Sequence, residues 1–423
     1  MSIDERSLHP PRGMNDWLPP QYDGLVDLMD RFALTAESFG YRRIETPAVE
    51  NFEILKAKAG PDIINEIYYF KDKAGRELGL RFDMTVPVAR VVSYRPDLPK
   101  PIRFYYTTKV WRYDEPQQGR YREFHQYGVE LIGSSTTASD AEVLSLSIIS
   151  LRNAGAVNVL AKVSDRRVID YLLDKKGVPI QARAGVLRAL DKRGKIEYED
   201  IIKLLINEGI SRETASELVN VAGTEVPISE ANSILKELGI SSELVNYHES
   251  LLQLLDSYGV SQGVRLNLGI VRGLDYYTGL IFELFMGDFN LSVGGGGRYD
   301  NLIGIYSGQN VPATGFAIGI ERVFLAMNTT QSPRIIDYYV YVTDQSLLDT
   351  AIKIANKLRL RGFRVAMDLG DKSLRAALDY ASRLGSLKFI ILGKREAQRG
   401  SIKVRDMELW QEEEISISKI LGN

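Results

Sequence analysis

The sequence predicts an α/β (α+β) chain: two β-rich segments, a helical insertion between them, and a small α/β domain at the end. Three patterns carry this. Two aromatic and β-branched runs, Ile102–Trp111 and Glu123–Ile132, flank a polar loop and read as a long antiparallel hairpin. Between Asp165 and about Tyr258 the apolar residues fall at helical spacing, as in Val186, Leu187 and Leu190, with glycines at Gly209, Gly223 and Gly239 between runs. From Tyr338 onward strand-like and helix-like runs alternate, the pattern of βαβ units.

The elements follow in order. Leu25, Leu28, Met29, Phe32, Ala33 and Ala36 repeat at helical spacing and Gly40 supplies a stop, so a helix is expected over Asp23–Phe39. Tyr41–Thr46 reads as a strand ending at Pro47; proline cannot donate to a ladder, so this strand belongs at an edge or an interface. In the hairpin, side chains alternate faces, which puts Phe124, Gln126 and Glu130 on one face and His125, Tyr127 and Val129 on the other. Its tip, Tyr113–Tyr121, is charged and expected to be mobile. Strand character returns at Val264–Leu268 and Thr278–Phe285, and Gly315–Arg322 reads as a strand feeding a helix. Asn328–Pro333 is a plausible linker. Beyond it, strands are expected at Tyr338–Val342, Phe363–Met367 and Lys388–Leu392, with helices at Leu347–Leu360 and Leu374–Leu384.

The chain has 423 residues and a mass of 47.5 kDa, enough for two to four domains at roughly 100–200 residues each. Its formal net charge of -2 argues against coating nucleic acid by bulk charge, so any such surface is a local patch. The absence of cysteine removes disulfides, thiolate nucleophiles and Cys-ligated zinc. With only three histidines, His9, His125 and His248, a multi-histidine metal centre is not expected. The charged start, Met1–Trp17, has no apolar stretch of a signal peptide, and no run is long enough to span a bilayer; a cytoplasmic protein with no membrane contact is expected.

Chemistry concentrates at the hairpin. Arg112, Arg120 and Arg122 at its base and tip suit polyphosphate, because guanidinium pairs with phosphate oxygens in a fork. Arg272 and Arg322 lie at two further junctions beside glycine-rich sequence. Gly294–Gly297 lacks the Lys and Ser/Thr of a phosphate-binding P-loop; these glycines permit a ligand to approach the backbone closely or the chain to bend tightly. Lys388, Lys394, Arg395, Arg399, Lys403 and Arg405 cluster near the end, a candidate phosphate-contacting patch.

Together these segments resemble the class II aminoacyl-tRNA synthetases, and within them the histidine-specific family. Pro47 with the preceding helix and strand is similar to the class's dimer-interface motif, Arg112–Glu130 to its second motif and Gly315–Arg322 to its third. Arg272-Gly273-Leu274-Asp275-Tyr276-Tyr277 and Gly296-Gly297-Arg298-Tyr299-Asp300 resemble the two histidine signatures. Leu80–Pro87 resembles the amino-acid loop in its archaeal and eukaryotic style, with Asp83 where bacterial members more often carry Glu.

The resemblance implies an antiparallel catalytic sheet in two parts, 1–164 and 259–330, a helical insertion at 165–258 and an anticodon-binding domain at 334–423. It implies a homodimer that activates histidine with ATP and Mg²⁺ and charges histidine tRNA. Asp83, Thr85 and Gln126 would take the α-ammonium, and Glu130 and Tyr277, beside Tyr276, the imidazole. Arg112, Asp114, Arg120, Phe124 and Arg322 would bind ATP, with Asp114 the candidate for Mg²⁺. Arg112, Arg272 and Arg322 would be the catalytic cations, with Arg272 between the histidine carboxylate and the α-phosphate. Glu115 departs from a basic residue common in bacterial members at the tRNA acceptor end. Two alternatives stand beside this reading: a non-catalytic, histidine-sensing regulatory paralogue, and a class II synthetase for another amino acid.

Overall fold

The computed structural model describes residues 4, 8–58, 64–194, 196–270, 276–287, 289–327, 336–370 and 372–421. The chain divides into two compact units, Met1–Thr330 and Gln331–Asn423. The first unit's strands, in chain order, are β1 (Arg42–Arg43), β2 (Val49–Asn51), β3 (Tyr69–Lys71), β4 (Glu77–Leu80), β5 (Ile102–Trp111), β6 (Glu123–Ile132), β7 (Val159–Asp165), β8 (Glu225–Pro227), β9 (Val264–Asn267), β10 (Leu280–Met286), β11 (Phe289–Arg298) and β12 (Ala313–Gly319). Nine of them form one sheet in the order β1-β5-β6-β12-β11-β10-β7-β9-β8, and β2-β4-β3 form a small second sheet.

The centre of the large sheet, from β5 to β7, is antiparallel throughout. β5 and β6 pair along their full length, from Ile102 opposite Ile132 to Trp111 opposite Glu123. The hairpin therefore has the boundaries its aromatic and β-branched runs predict. At the two ends, β1 runs parallel to β5 and β9 parallel to β7.

Four readings change. The strand expected over Tyr41–Thr46 contracts to β1, followed by one bond from Ile44 N–H to the Tyr105 carbonyl at 2.9 Å. It does lie at the sheet edge. The helical stretch after Asp165 also contains β8, which pairs with β9 and closes the far edge of the sheet. The small sheet β2-β4-β3 and strand β7 had no counterpart in the pattern. Gly294–Gly297 lie inside β11, in register with β10 and β12, rather than in a bend.

Helices Gln21–Ser38 and Thr137–Asn153 cover one face of the sheet and build the main core with it. The second is buried on nearly every side, at Val143, Leu144, Leu146, Ile148 and Leu151 and also at the small polar Ser145, Ser147 and Ser150. Thr136 caps its start by accepting from Ser139 N–H. Phe32 stacks on Tyr127 with ring centroids 4.6 Å apart and planes 3° from parallel.

In the second unit β13 (Tyr338–Val342), β14 (Val365–Met367), β15 (Lys388–Leu392), β16 (Ser401–Asp406) and β17 (Glu412–Ser416) form a sheet in the order β14-β13-β15-β16-β17. β13 is parallel to both neighbours, as helical crossovers require, and β16 and β17 return as a hairpin. Three of the six residues of the predicted basic patch are balanced locally. Lys394 faces Asp344 at 2.5 Å, Lys403 lies 3.8 Å from Glu396 and Arg405 pairs with Glu412. The expected linker, Asn328–Pro333, lies outside the described residues.

Phe32→Ala removes a fully buried ring and its partner's stack. It should destabilise the first unit by about 3–5 kcal/mol, read as a lower urea midpoint of that unit's unfolding transition.

Candidate active site

The large sheet carries a cavity of about 330 Å³ on the face opposite helices Gln21–Ser38 and Thr137–Asn153. Strand alternation decides what enters it. On β6, Phe124 and Gln126 line the cavity, whereas Tyr127 and Val129 point into the main core. Gly128 continues the site face. Its missing side chain is replaced by Tyr106, directly across on β5, whose ring occupies the place a Cβ would take. Gly294, Gly295 and Gly296 of β11 make the floor. A Cβ on Gly296 would fall onto the Gly315 carbonyl oxygen, so only glycine lets these strands run this close under a cavity.

One end of the cavity is built from acceptors. Asp83 and Thr85 stand at the start of helix Thr85–Tyr94, where Asp83 Oδ1 accepts Val86 N–H at 3.1 Å. Gln126 is 5% exposed, and its Oε1 has no hydrogen-bond partner among the described residues. Leaving such an acceptor unpaired costs about 1–3 kcal/mol, which a donor on a ligand would relieve. Tyr276 and Tyr277 wall this end with ring centroids 4.2 Å apart. Burial pushes the Tyr276 phenol well up, against the pull of its hydrogen bond with Tyr277, so it stays protonated.

Glu130 is not in the cavity wall. It is 1% exposed and sits one layer behind, where Oε1 accepts from Tyr106 at 3.3 Å and Oε2 from the hydroxyl of Tyr299, a residue that does line the cavity. Burial and this carboxylate raise the Tyr106 and Tyr299 phenols well above their ordinary range. Both are therefore donors.

The other end is cationic. Arg112, Arg120 and Arg322 converge there with Asp114. Arg112 Nε donates to the Phe82 carbonyl at 3.0 Å, and its guanidinium carbon lies 5.5 Å from the Phe124 ring centre. Arg322 donates to the carbonyls of Gly119 at 2.8 Å and Ser292 at 2.9 Å. Arg120 pairs with Asp114 at 3.1 Å. Burial, then repulsion by Arg120 and Arg112, pulls the Arg322 guanidinium below its ordinary value, against the attraction of Asp114. Like charges gathered in a half-buried cleft are the electrostatic shape of a polyanion site.

The hairpin tip is tethered rather than loose. Arg122 N–H donates to the Gly13 carbonyl at 2.7 Å, Tyr113 N–H to Glu66 O at 2.7 Å, and Arg122 Nε to Asp114 O at 2.9 Å. Glu115 pairs with Arg12. Arg272 lies outside the described residues, as do Gly273–Asp275. Among the described residues no group of three or more His, Cys, Asp or Glu is gathered as a metal cage. Asp114 would fit a Mg²⁺ that brings phosphate oxygens and water as its other ligands, and the carboxylates of Glu283 and Glu321 line the same cavity.

Two features had no signal in the sequence. Glu321, next to Arg322, accepts from His125 N–H at 2.9 and 3.0 Å and faces His125 Nδ1 at 2.7 Å, strapping helix Ile320–Met327 to β6. Arg298 is buried on an ion pair with Asp140. Both partnerships cross more than 150 residues of sequence.

A family model described as histidyl-tRNA synthetase matches residues 13–323, and one described as an anticodon binding domain matches 336–423. The chain belongs to the histidyl-tRNA synthetase family. The histidine–tRNA ligase of Pyrobaculum aerophilum is 51% identical over 413 residues, 98% of each chain. A solved Bacillus halodurans structure, titled an ATP phosphoribosyltransferase regulatory subunit/histidyl-tRNA synthetase, matches with a TM-score of 0.79 at 28% identity, covering 93% of this chain and 100% of that one. The histidyl-tRNA synthetase of a Nostoc species has a TM-score of 0.86 at 23% identity, covering 99% and 98%, a likeness of fold. Among the described residues no helix is long and apolar enough to cross a membrane.

Gly128→Ala would press a methyl group onto the Phe316 carbonyl oxygen of β12 and the hydroxyl end of Tyr106. Overpacking of this kind costs about 1–3 kcal/mol. The expected result is a lower melting temperature together with weakened histidine binding by calorimetry, because Tyr106 is displaced from Glu130.

Proposed function

We propose that this cavity joins histidine to ATP as histidyl-adenylate, releasing pyrophosphate, and then passes histidine to the 3′ end of its tRNA. The observation that carries the reading is the polarity of the cavity: acceptors at one end, where Gln126 Oε1 has no partner among the described residues, and three converging guanidiniums at the other. An amino acid whose ammonium meets Asp83, Thr85 and Gln126 points its carboxylate toward the cations. A nucleoside triphosphate lying on Phe124 offers its phosphates to the same cations.

The roles follow from chemistry. Arg112 holds the α-phosphate, Arg322 with Arg120 the terminal phosphates, and Phe124 the adenine face. By resemblance Arg272 bridges the histidine carboxylate and the α-phosphate. The carboxylate oxygen attacks the α-phosphorus and the bond to the pyrophosphate oxygen breaks. Charge builds on the phosphoryl oxygens, and fixed cations stabilise it without reorganising. The attacking group is already ionised at neutral pH, so no base has to remove a proton in this step. Mg²⁺, held by Asp114 and the phosphates, would add to that charge stabilisation.

Neutral imidazole offers one donor and one acceptor, and two opposed partners read it uniquely. We assign Tyr277 to one nitrogen. The other N–H we assign to Glu130, whose carboxylate can accept a second donor beside the Tyr299 hydroxyl. Amino acids without that ring would leave buried groups unpaired, a penalty of up to roughly 10⁴–10⁵-fold. The same reading gives histidine tRNA and a second copy of this chain as partners, in the cytoplasm. A purely regulatory histidine sensor is disfavoured, because Arg112 and Arg322 stand in the cavity and an anticodon-binding family model matches residues 336–423.

Pyrophosphate–ATP exchange measured with each of the twenty amino acids, without tRNA, should proceed with histidine and no other. Exchange with a different amino acid would keep the adenylation chemistry and overturn the specificity residues. Glu130→Gln should raise the KM for histidine by at least about tenfold and leave the KM for ATP unchanged. Equal histidine kinetics in that variant would remove Glu130 from the site.

A further inference from the structure

A chain of buried charged groups runs from the helical segment to the back of the cavity. Arg298 ends β11, immediately before Tyr299. Its Nε donates to Asp140 at 3.0 and 3.1 Å, its Nη1 to the Ser134 carbonyl and to Asp300 at 3.0 Å each, and its Nη2 to Ser139 Oγ at 2.8 Å. Asp140 is 1% exposed, and its Oδ2 also accepts from the Tyr247 hydroxyl at 2.7 Å. Tyr247 belongs to helix Ser242–Ser257, in the helical stretch between β7 and β9. There the Arg167 guanidinium lies over the Tyr247 ring at 4.0 Å and pairs with Asp165 at 2.6 Å.

A buried guanidinium must be paired, and one bonded on all three nitrogens has a single orientation left. The backbone at Arg298 is then fixed from the side chain inward, and so is the ring of Tyr299 that follows. Tyr299 holds the Glu130 carboxylate from the cavity side. Neither Asp140 nor Tyr247 lines the cavity.

We propose that Asp140, steadied by Tyr247, is a positioning residue for the amino-acid end of the site, acting through Arg298 and Tyr299 on Glu130. The helical segment thereby sets how well histidine is held, although it touches none of it. This rests on the assignment of that end to the histidine side chain. It predicts an asymmetric effect, because the chain of bonds reaches Glu130 and not the cationic end.

The test uses histidine-dependent pyrophosphate–ATP exchange with the full chain. Tyr247→Phe keeps the ring over Arg167 and deletes one hydroxyl. It should raise the KM for histidine about three- to tenfold, within the range of remote substitutions on a coupled site, while the KM for ATP stays within about twofold. Asp140→Asn should do the same more strongly, and Tyr247→Phe decides the matter if that variant does not fold. Leu251→Ala, a core change on the same helix, should lower the melting temperature and leave both KM values in place. The inference is overturned if Tyr247→Phe leaves the histidine KM unchanged, if both KM values rise together, or if Leu251→Ala reproduces the effect. A failed cavity assignment looks different: the unmodified chain would show no histidine-dependent exchange, and the inference would fall with it.

Discussion

Strand β6 is buried on both faces, and the rest of the first unit is arranged around that constraint. One face packs Tyr127 against Phe32 and bonds its hydroxyl to Ser150 at 2.9 Å. The other presents Phe124, Gln126 and, one layer back, Glu130. A slip of one residue would exchange the faces and drive a carboxylate into the aliphatic core. Pairing with β5 on one side and β12 on the other holds the register against it. A carboxylate this deep is costly unless each oxygen is bonded, and the Tyr106 and Tyr299 hydroxyls provide those bonds. Core stability and the position of the site's innermost polar group thus depend on the same ten residues.

The cationic end is built on the opposite principle. Arg112, Arg120 and Arg322 crowd together with Asp114 as their near acidic neighbour, an arrangement that opposes its own assembly until an anion is present. What holds it is neutral or remote. Arg112 and Arg322 are tied to backbone carbonyls, which fix direction without cancelling charge. Helix Ile320–Met327, which carries Arg322, is strapped to β6 through Glu321 and His125. The carbonyls orient the cations and leave their charge for a polyanionic ligand.

The sequence foretold what local pattern can encode. The limits of β5, β6, β13 and β15 follow from short runs of aromatic and β-branched residues, and alternation alone placed Phe124 and Gln126 on one shared face, which in the structure is the cavity side. Short strands were illegible. β2, β3 and β4 are three or four residues long and partly exposed, too brief for a period to show, and β8 lies within a helical stretch that masks it. Gly294–Gly297 left a tight bend and the close approach of a ligand both open; the structure has no bend there, and close packing of β10, β11 and β12 beneath the cavity requires the glycines. The position of Glu130 behind Tyr299 rather than in the wall could not be read, since parity gives a face and not a depth. The Arg298–Asp140 pair joins residues 158 apart and leaves no trace in any window of sequence.

The scarcity of histidine bears on the chemistry in a way composition alone does not show. None of the three histidines lines the cavity. His9 is exposed; His125 is committed to Glu321; His248 is buried, with its Nε2 3.4 Å from Asp165. The residue best suited to proton transfer at neutral pH is thus spent on structure or left at the surface. Displacement at phosphorus by an ionised carboxylate asks for no proton transfer, only for charge held in place. Tyrosine phenols pushed upward by burial behave consistently with that: Tyr106, Tyr276 and Tyr299 remain protonated through the physiological range and serve as fixed hydrogen-bonding groups. Among the described residues of the site, none has to change charge during the proposed first step. Its rate should depend on geometry, which is why a single hydroxyl on Tyr247, well outside the cavity, can matter to how histidine is held.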